Sequence, residues 1–139
     1  MASGKYEYLS QKFLNWLFGA AAFTQPTNTY LALFSVTPTV STTGTEASGS
    51  AYARVTVACN TTNWPAISGS TTTLTSGATF TFPTATGNWS SSSNQTGAGF
   101  WDAASTGNLL YWGDLTTPKP VLNGDTASFA SGAVTIQEL

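Results

Sequence analysis

Apolar residues recur along this chain with two different periods, and the change falls near residue 28. In residues 1–18, Tyr6, Leu9, Phe13, Trp16 and Leu17 follow a three-and-four spacing and make one broad stripe. Lys5, Glu7, Gln11, Lys12 and Asn15 fall mostly on the other side. The spacing predicts an amphipathic helix over residues 1–19, with Ser3 as its N-cap and Gly19 as a left-handed C-terminal residue. Such a stripe either covers one face of the remaining structure or docks into a neighbouring subunit.

From residue 29 the period is two. Residues 29–36 are an apolar run of strand length, and Pro38 ends it. Residues 51–57 alternate, with Tyr52, Arg54 and Thr56 against Ala53, Val55 and Val57. Between them, residues 39–50 form a polar loop long enough to act as a contact arm. Residues 71–83 read as two strands turning at Ser76-Gly77, and residues 95–103 as a strand with Ala98 and Phe100 opposite Gly97, Gly99 and Trp101. The glycines there suggest a bulge. Residues 109–115 form an apolar strand, and the prolines in residues 116–120 are expected to break the sheet. Asn123-Gly124 and Ser131-Gly132 turn the chain between the last strands, residues 126–130 and 133–138. These short strands predict a mainly β fold: an antiparallel β-sandwich or barrel with one N-terminal amphipathic helix. With no internal repeat, the expectation is a single domain over 1–139, the helix at 1–19 and the β domain at 29–139.

Charge changes the picture. Only 7% of the 139 residues are charged, against roughly 25% in ordinary soluble domains. Ser and Thr supply 41 residues, so the polar surface is built from hydroxyls. Such a surface repels itself weakly and suits a protein packed against copies of itself or a partner. Four scattered cations do not make a nucleic-acid footprint or a basic membrane face, so neither partner is expected. No apolar stretch is long enough to span a bilayer, and no secretory signal is read near the start. Cys59 is the sole cysteine, which leaves it as a small hydrophobe beside a strand.

Chemistry is sparse. Without histidine there is no Ser-His-Asp arrangement and no His metal site. Glu46, Asp102, Asp114 and Asp125 are the carboxylates that paired acid–base work would need, but each sits where a turn or loop explains it. Their spacing matches no calcium loop. No catalytic residue, cofactor or metal is therefore expected. Among the tryptophans, Trp101 and Trp112 lie inside strand-like runs and are expected in the core. Trp64 and Trp89 lie in polar loops, which makes them candidates for a partner or a glycan.

One ordered set of motifs resembles a known family. Tyr30-Leu31-Ala32-Leu33-Phe34-Ser35, then Gly44-Thr45-Glu46-Ala47-Ser48-Gly49, then Tyr52-Ala53-Arg54 are followed by Phe82-Pro83-Thr84, Trp101-Asp102-Ala103-Ala104, Gly107-Asn108-Leu109-Leu110 and Val134-Thr135-Ile136. This order resembles small tailed-bacteriophage virion proteins commonly labelled tail fibre proteins. Residues 60–70 and 90–95 depart from it, being longer and richer in Ser and Thr. The resemblance implies a non-enzymatic virion component, made in the host cytoplasm and assembled on the capsid or tail. Its partners would be the major capsid protein or tail proteins, with homo-oligomers expected. A capsid-surface cement or decoration protein is the first role it implies, and a tail fibre or tail-tip component touching the host surface is the alternative. The contact residues expected are Tyr6, Leu9, Phe13 and Trp16 on the helix, Glu46 and Arg54 as a surface pair or partner contact, and Trp64 and Trp89 in their loops.

Overall fold

The computed structural model describes residues 3–19 and 21–138. In chain order the elements are β1 (Ser3–Lys5), α1 (Glu7–Phe18), β2 (Asn28–Val36), β3 (Thr45–Glu46), β4 (Val55–Ala58), β5 (Thr73–Thr75), β6 (Phe80–Thr81), β7 (Gln95–Trp101), β8 (Leu109–Lys119), β9 (Ser128–Phe129) and β10 (Thr135–Gln137). The fold is mainly β and antiparallel, with one helix near the N-terminus, as the alternation predicts.

A six-stranded sheet runs β1-β8-β7-β2, and β2 shares its other edge between β3 at one end and β4 at the other. Two small sheets, β5 with β10 and β6 with β9, form a second layer. The layers meet around Leu31, Leu33, Val57 and Phe100 from the main sheet and Phe80, Phe82, Ala85, Trp89 and Val121 opposite. This is an open sandwich rather than a closed barrel.

The period of two in β2 explains both faces of the main sheet. Leu31 and Leu33 enter the inter-layer core, while Ala32 and Phe34 point the other way and pack with Trp101, Leu109 and Trp112. The expected faces of β7 hold, and register shifts occur at both ends of that strand, between Gln95 and Gly97 and between Phe100 and Trp101. Gly99 is required there. A Cβ on it would lie 2.6 Å from the Tyr111 carbonyl oxygen.

Several expectations are corrected. Ser3 does not cap the helix, because residues 3–5 pair with Tyr111–Gly113 as β1 and the helix starts after Tyr6. Its first amides are met by chain already in place: Tyr6 N–H donates to the Leu110 carbonyl and Glu7 N–H to that of Val40. Gly19 has φ −102°, not a left-handed value. The second alternating stretch is a strand only over Val55–Ala58; Ala51 has a positive φ and turns the chain before it. The two strands in residues 71–83 do not pair with each other; each takes a partner from the last thirty residues. Pro118 does not end β8, which continues through it to Lys119 and stops before Pro120. Among the described residues no strand pairs with the outer edge of β8 beyond Gly113, so the missing proline N–H breaks no ladder there.

Candidate functional site

The helix is the feature the sandwich does not absorb. None of its residues is buried, and Phe13, Leu14, Trp16, Leu17 and Phe18 are exposed by 42% to 82%. Around the axis, at roughly 100° per residue, Trp16, Leu9, Phe13, Tyr6, Leu17, Leu14 and Phe18 follow one another over about 200°. A helix resting on a single surface needs a stripe of about half that width. The inner part of the arc meets its own body: Leu9 and Phe13 line a small cavity of about 290 Å³ with Lys5, Phe23, Tyr111 and Glu138. Lys5 Nζ sits 5.1 Å over the Phe13 ring. Leu14, Leu17 and Phe18 lie on the outer part and remain in water.

A charged latch beside this helix ties β1 and β8 to the chain after β10, and it touches α1 through Lys5 over the Phe13 ring. Lys5 Nζ bonds Glu138 Oε1, and Tyr111 donates its hydroxyl to Glu138 Oε2 at 2.7 Å. Partial burial on its own would raise the Glu138 carboxyl. The hydrogen bonds from Lys5 and Tyr111, with the lysine charge, outweigh that and hold it below its ordinary value. Burial, reinforced by the carboxylate, pushes the Tyr111 phenol well above its usual range.

Glu46 and Arg54 do find each other, but not as a surface pair. The guanidinium takes the carboxylate in a fork, Nε to Oε1 at 2.8 Å and Nη2 to Oε2 at 2.7 Å. Nη1 donates to the carbonyls of Ala103 (2.7 Å) and Thr106 (2.8 Å), and the group stacks 4.1 Å above the Trp101 ring. Tyr52 donates to Glu46 Oε1 at 2.8 Å, and burial together with that carboxylate drives its phenol far up. The Arg54 side chain is only 6% exposed. This node ties β3, the chain before β4 and the 103–106 loop together. Residues 39–50 are therefore only partly a free arm, since Thr45–Glu46 joins the sheet and Ala47 is buried.

Of the loop tryptophans, Trp89 is placed inside and Trp64 is half-buried against the core. Trp89 is completely buried, donates Nε1–H to the Ser50 carbonyl at 3.0 Å and meets Tyr52 edge-on at 5.0 Å. Ser90, Ser91 and Ser92 take positive φ directly after it, and this tight left-handed turn lets a polar loop sink its tryptophan. Gly49 leaves the space, because a Cβ there would lie 3.0 Å from Trp89 Cα at a φ of +143°. Trp64 packs on Phe80 and Phe100 at ring distances of 5.6 and 5.5 Å. Trp101 and Trp112 are buried as expected, and Cys59 is half-buried, which pushes its thiol up.

The carboxylates serve turns and ties. Asp102 accepts Asn108 N–H and its side-chain amide, and Asp125 accepts Leu122 N–H. A larger cleft of about 770 Å³ opens between β7–β8 and the second layer, with Phe100, Tyr111, Leu115, Phe129 and Ile136 on its walls.

Of the expected contact residues, Leu9, Phe13 and Trp16 come together on α1 with Tyr6 at its N-cap, Glu46 and Arg54 are tied to each other, Trp89 is packed into the core, and Trp64 is half-buried against it. Leu14 and Phe18 were not singled out by the periodicity. Their signal was the run Phe13-Leu14-Asn15-Trp16-Leu17-Phe18, five apolar residues in six, too wide for one stripe.

A family model described as podophage GP4 fiber I protein gp80 matches residues 4–137. No curated protein matches the chain.

Proposed function

The chain belongs to the podophage GP4 fiber I protein gp80 family, and from that membership we propose that it is a non-enzymatic structural subunit of the phage fibre, assembled through the outward face of α1. A structural role in the virion follows from the family. The observation that carries the finer reading is the helix: five large apolar side chains are exposed on a 12-residue element, while the inter-layer core is built without them. Isolated exposed apolar residues are ordinary, but a contiguous apolar patch of this size marks an interaction surface. The sparse charge supports the same reading, because the chain carries little that would repel a close neighbour. We take residues 1–139 as one domain, with α1 as its assembly element and tail proteins as its partners.

The family description names a fibre, which favours a tail position over a capsid-surface cement. The test is the copy number of the chain in purified virions, by quantitative mass spectrometry against the major capsid protein. A few to a few tens of copies per particle agree with a fibre subunit. A ratio near one to the capsid protein, or a simple fraction of it, would overturn the tail position and return the role to capsid decoration.

A further inference from the structure

We propose that the cleft between β7–β8 and the second layer binds a neutral saccharide, with Gln95 as its buried acceptor. The cleft lies apart from the outward face of α1, and this site stands or falls independently of the assembly reading. Its shape comes from the register of the main sheet. Residues opposite one another in an antiparallel ladder share a face. Leu33 pairs with Ala98, Ala98 with Gly113 and Gly113 with Ser3, so a row of small side chains crosses β7, β8 and β1. The neighbouring row is large, with Leu31, Phe100 and Tyr111. Leu115 of β8 lines the cleft too, and Phe129, Val134 and Ile136 border it from the second layer. Ala98 sits on an interior strand of the sheet and is still only half-buried, so the floor of the cleft is open to an occupant.

One polar group inside calls for a donor. Gln95 lines the cleft and is 1% exposed. Its Nε2 donates to the Ser93 carbonyl at 3.0 Å, and among the described residues no donor reaches its Oε1. A buried acceptor left in this way is costly, and a ligand that brings a donor relieves it. The terminal torsion of glutamine is soft, so Oε1 can lean toward a hydroxyl placed in the cleft.

The remaining lining selects the class of ligand. A volume of about 770 Å³ falls within the range of small-ligand sites. The charged side chains along it are Asp114, Asp125 and Lys119, one more carboxylate than ammonium, which disfavours an anion. A hydrocarbon chain would cover Leu115, Phe129 and Ile136 but leave Gln95 Oε1 unpaired. A sugar ring meets both demands. Its C–H face lies against rings such as Tyr111 and Phe129, and its hydroxyls give donors to Gln95 and exchange hydrogen bonds with Thr117 and Ser128 at the rim.

The test is a ¹H–¹⁵N NMR titration of the full chain with the methyl glycosides of glucose, galactose, mannose, rhamnose and N-acetylglucosamine, each to about 100 mM, enough to saturate a millimolar site. The expected result is saturable shifts from at least one glycoside at the Gln95 side-chain amide, Ala98 and Gly113. Gln95→Leu should weaken that binding about tenfold while keeping the wild-type near-ultraviolet spectrum. Ala98→Leu, at a half-buried position, fills the floor and should abolish it; it reads the same site if Gln95→Leu does not fold. No saturable shift from any of the five glycosides overturns the proposal, as do shifts confined to other residues or folded variants that bind like wild type. Glucose 6-phosphate binding more tightly than glucose would assign the cleft to an anion. Octanoate shifting these residues where no glycoside does would assign it to an apolar chain, and shifts that follow protein concentration alone would assign it to a second copy; each of these overturns the saccharide.

Discussion

Trp16 and Trp89 sit in surroundings opposite to those their sequences suggest. Trp16 belongs to an apolar stripe and is 53% exposed; Trp89 is flanked by asparagine and serines and is wholly buried. The difference lies in what each segment can close upon. The chain around Trp89 turns left-handed through three serines and hands its amides to residues 48 and 121, so the ring enters the core with its backbone satisfied. Helix α1 makes its hydrogen bonds internally after the first turn, where Glu7 N–H is taken by the Val40 carbonyl, so its apolar face needs no burial for the helix to form. Its apolar arc is left for another surface. On the proposed reading of α1, stability and assembly are carried by different tryptophans.

The sharpest break of this comparison is Trp89→Ala. Truncating a fully buried tryptophan costs about 3–5 kcal/mol, and urea unfolding followed by circular dichroism should show it. Arg54→Ala should come next, at about 2–4 kcal/mol. It leaves the Glu46 carboxylate without its fork and two loop carbonyls without their donor, and solvent reaching part of Glu46 keeps the loss below that of a fully dry pair. Its hydrogen exchange should rise most in the 103–106 loop.

The latch predicts a smaller, pH-dependent effect. The Glu138 carboxyl is depressed in the folded state, so its stabilisation is complete above its ordinary value of 4.5 and is lost as pH falls through the lower folded value. Glu138→Gln should cost less than about 1 kcal/mol at pH 7, because the group is half exposed. The difference from wild type should shrink on titration to below pH 4.5. The smallest effect on folding belongs to Leu14→Glu/Leu17→Glu, within about 0.5 kcal/mol of wild type. A large loss there would mean that α1 supports the core after all, and the contrast with Trp89 would fail.

Much of this frame is legible in the residues. β2 and β8 follow from continuous apolar runs of strand length, β7 from alternation, and the helix stripe is plain from its spacing. The pairing of Glu46 with Arg54 could be anticipated, but its burial could not. That depends on Trp101 and on carbonyls of residues 103 and 106 reached only through the sheet. β5 and β6 looked like a hairpin because they are adjacent; their real partners lie more than forty residues away, and local pattern carries no record of that distance. Trp89 was misjudged for the same reason. Its neighbours describe the loop, whereas its contacts, Tyr52 and Phe82, come from other segments.

The most direct test counts the chain in virions made with either Trp16→Ala/Leu14→Glu/Leu17→Glu or wild type. The expected result is a variant chain that is soluble, folded and near wild-type stability in the lysate but missing from purified particles. Particles that hold the variant at wild-type copy number would contradict the assignment of assembly to α1.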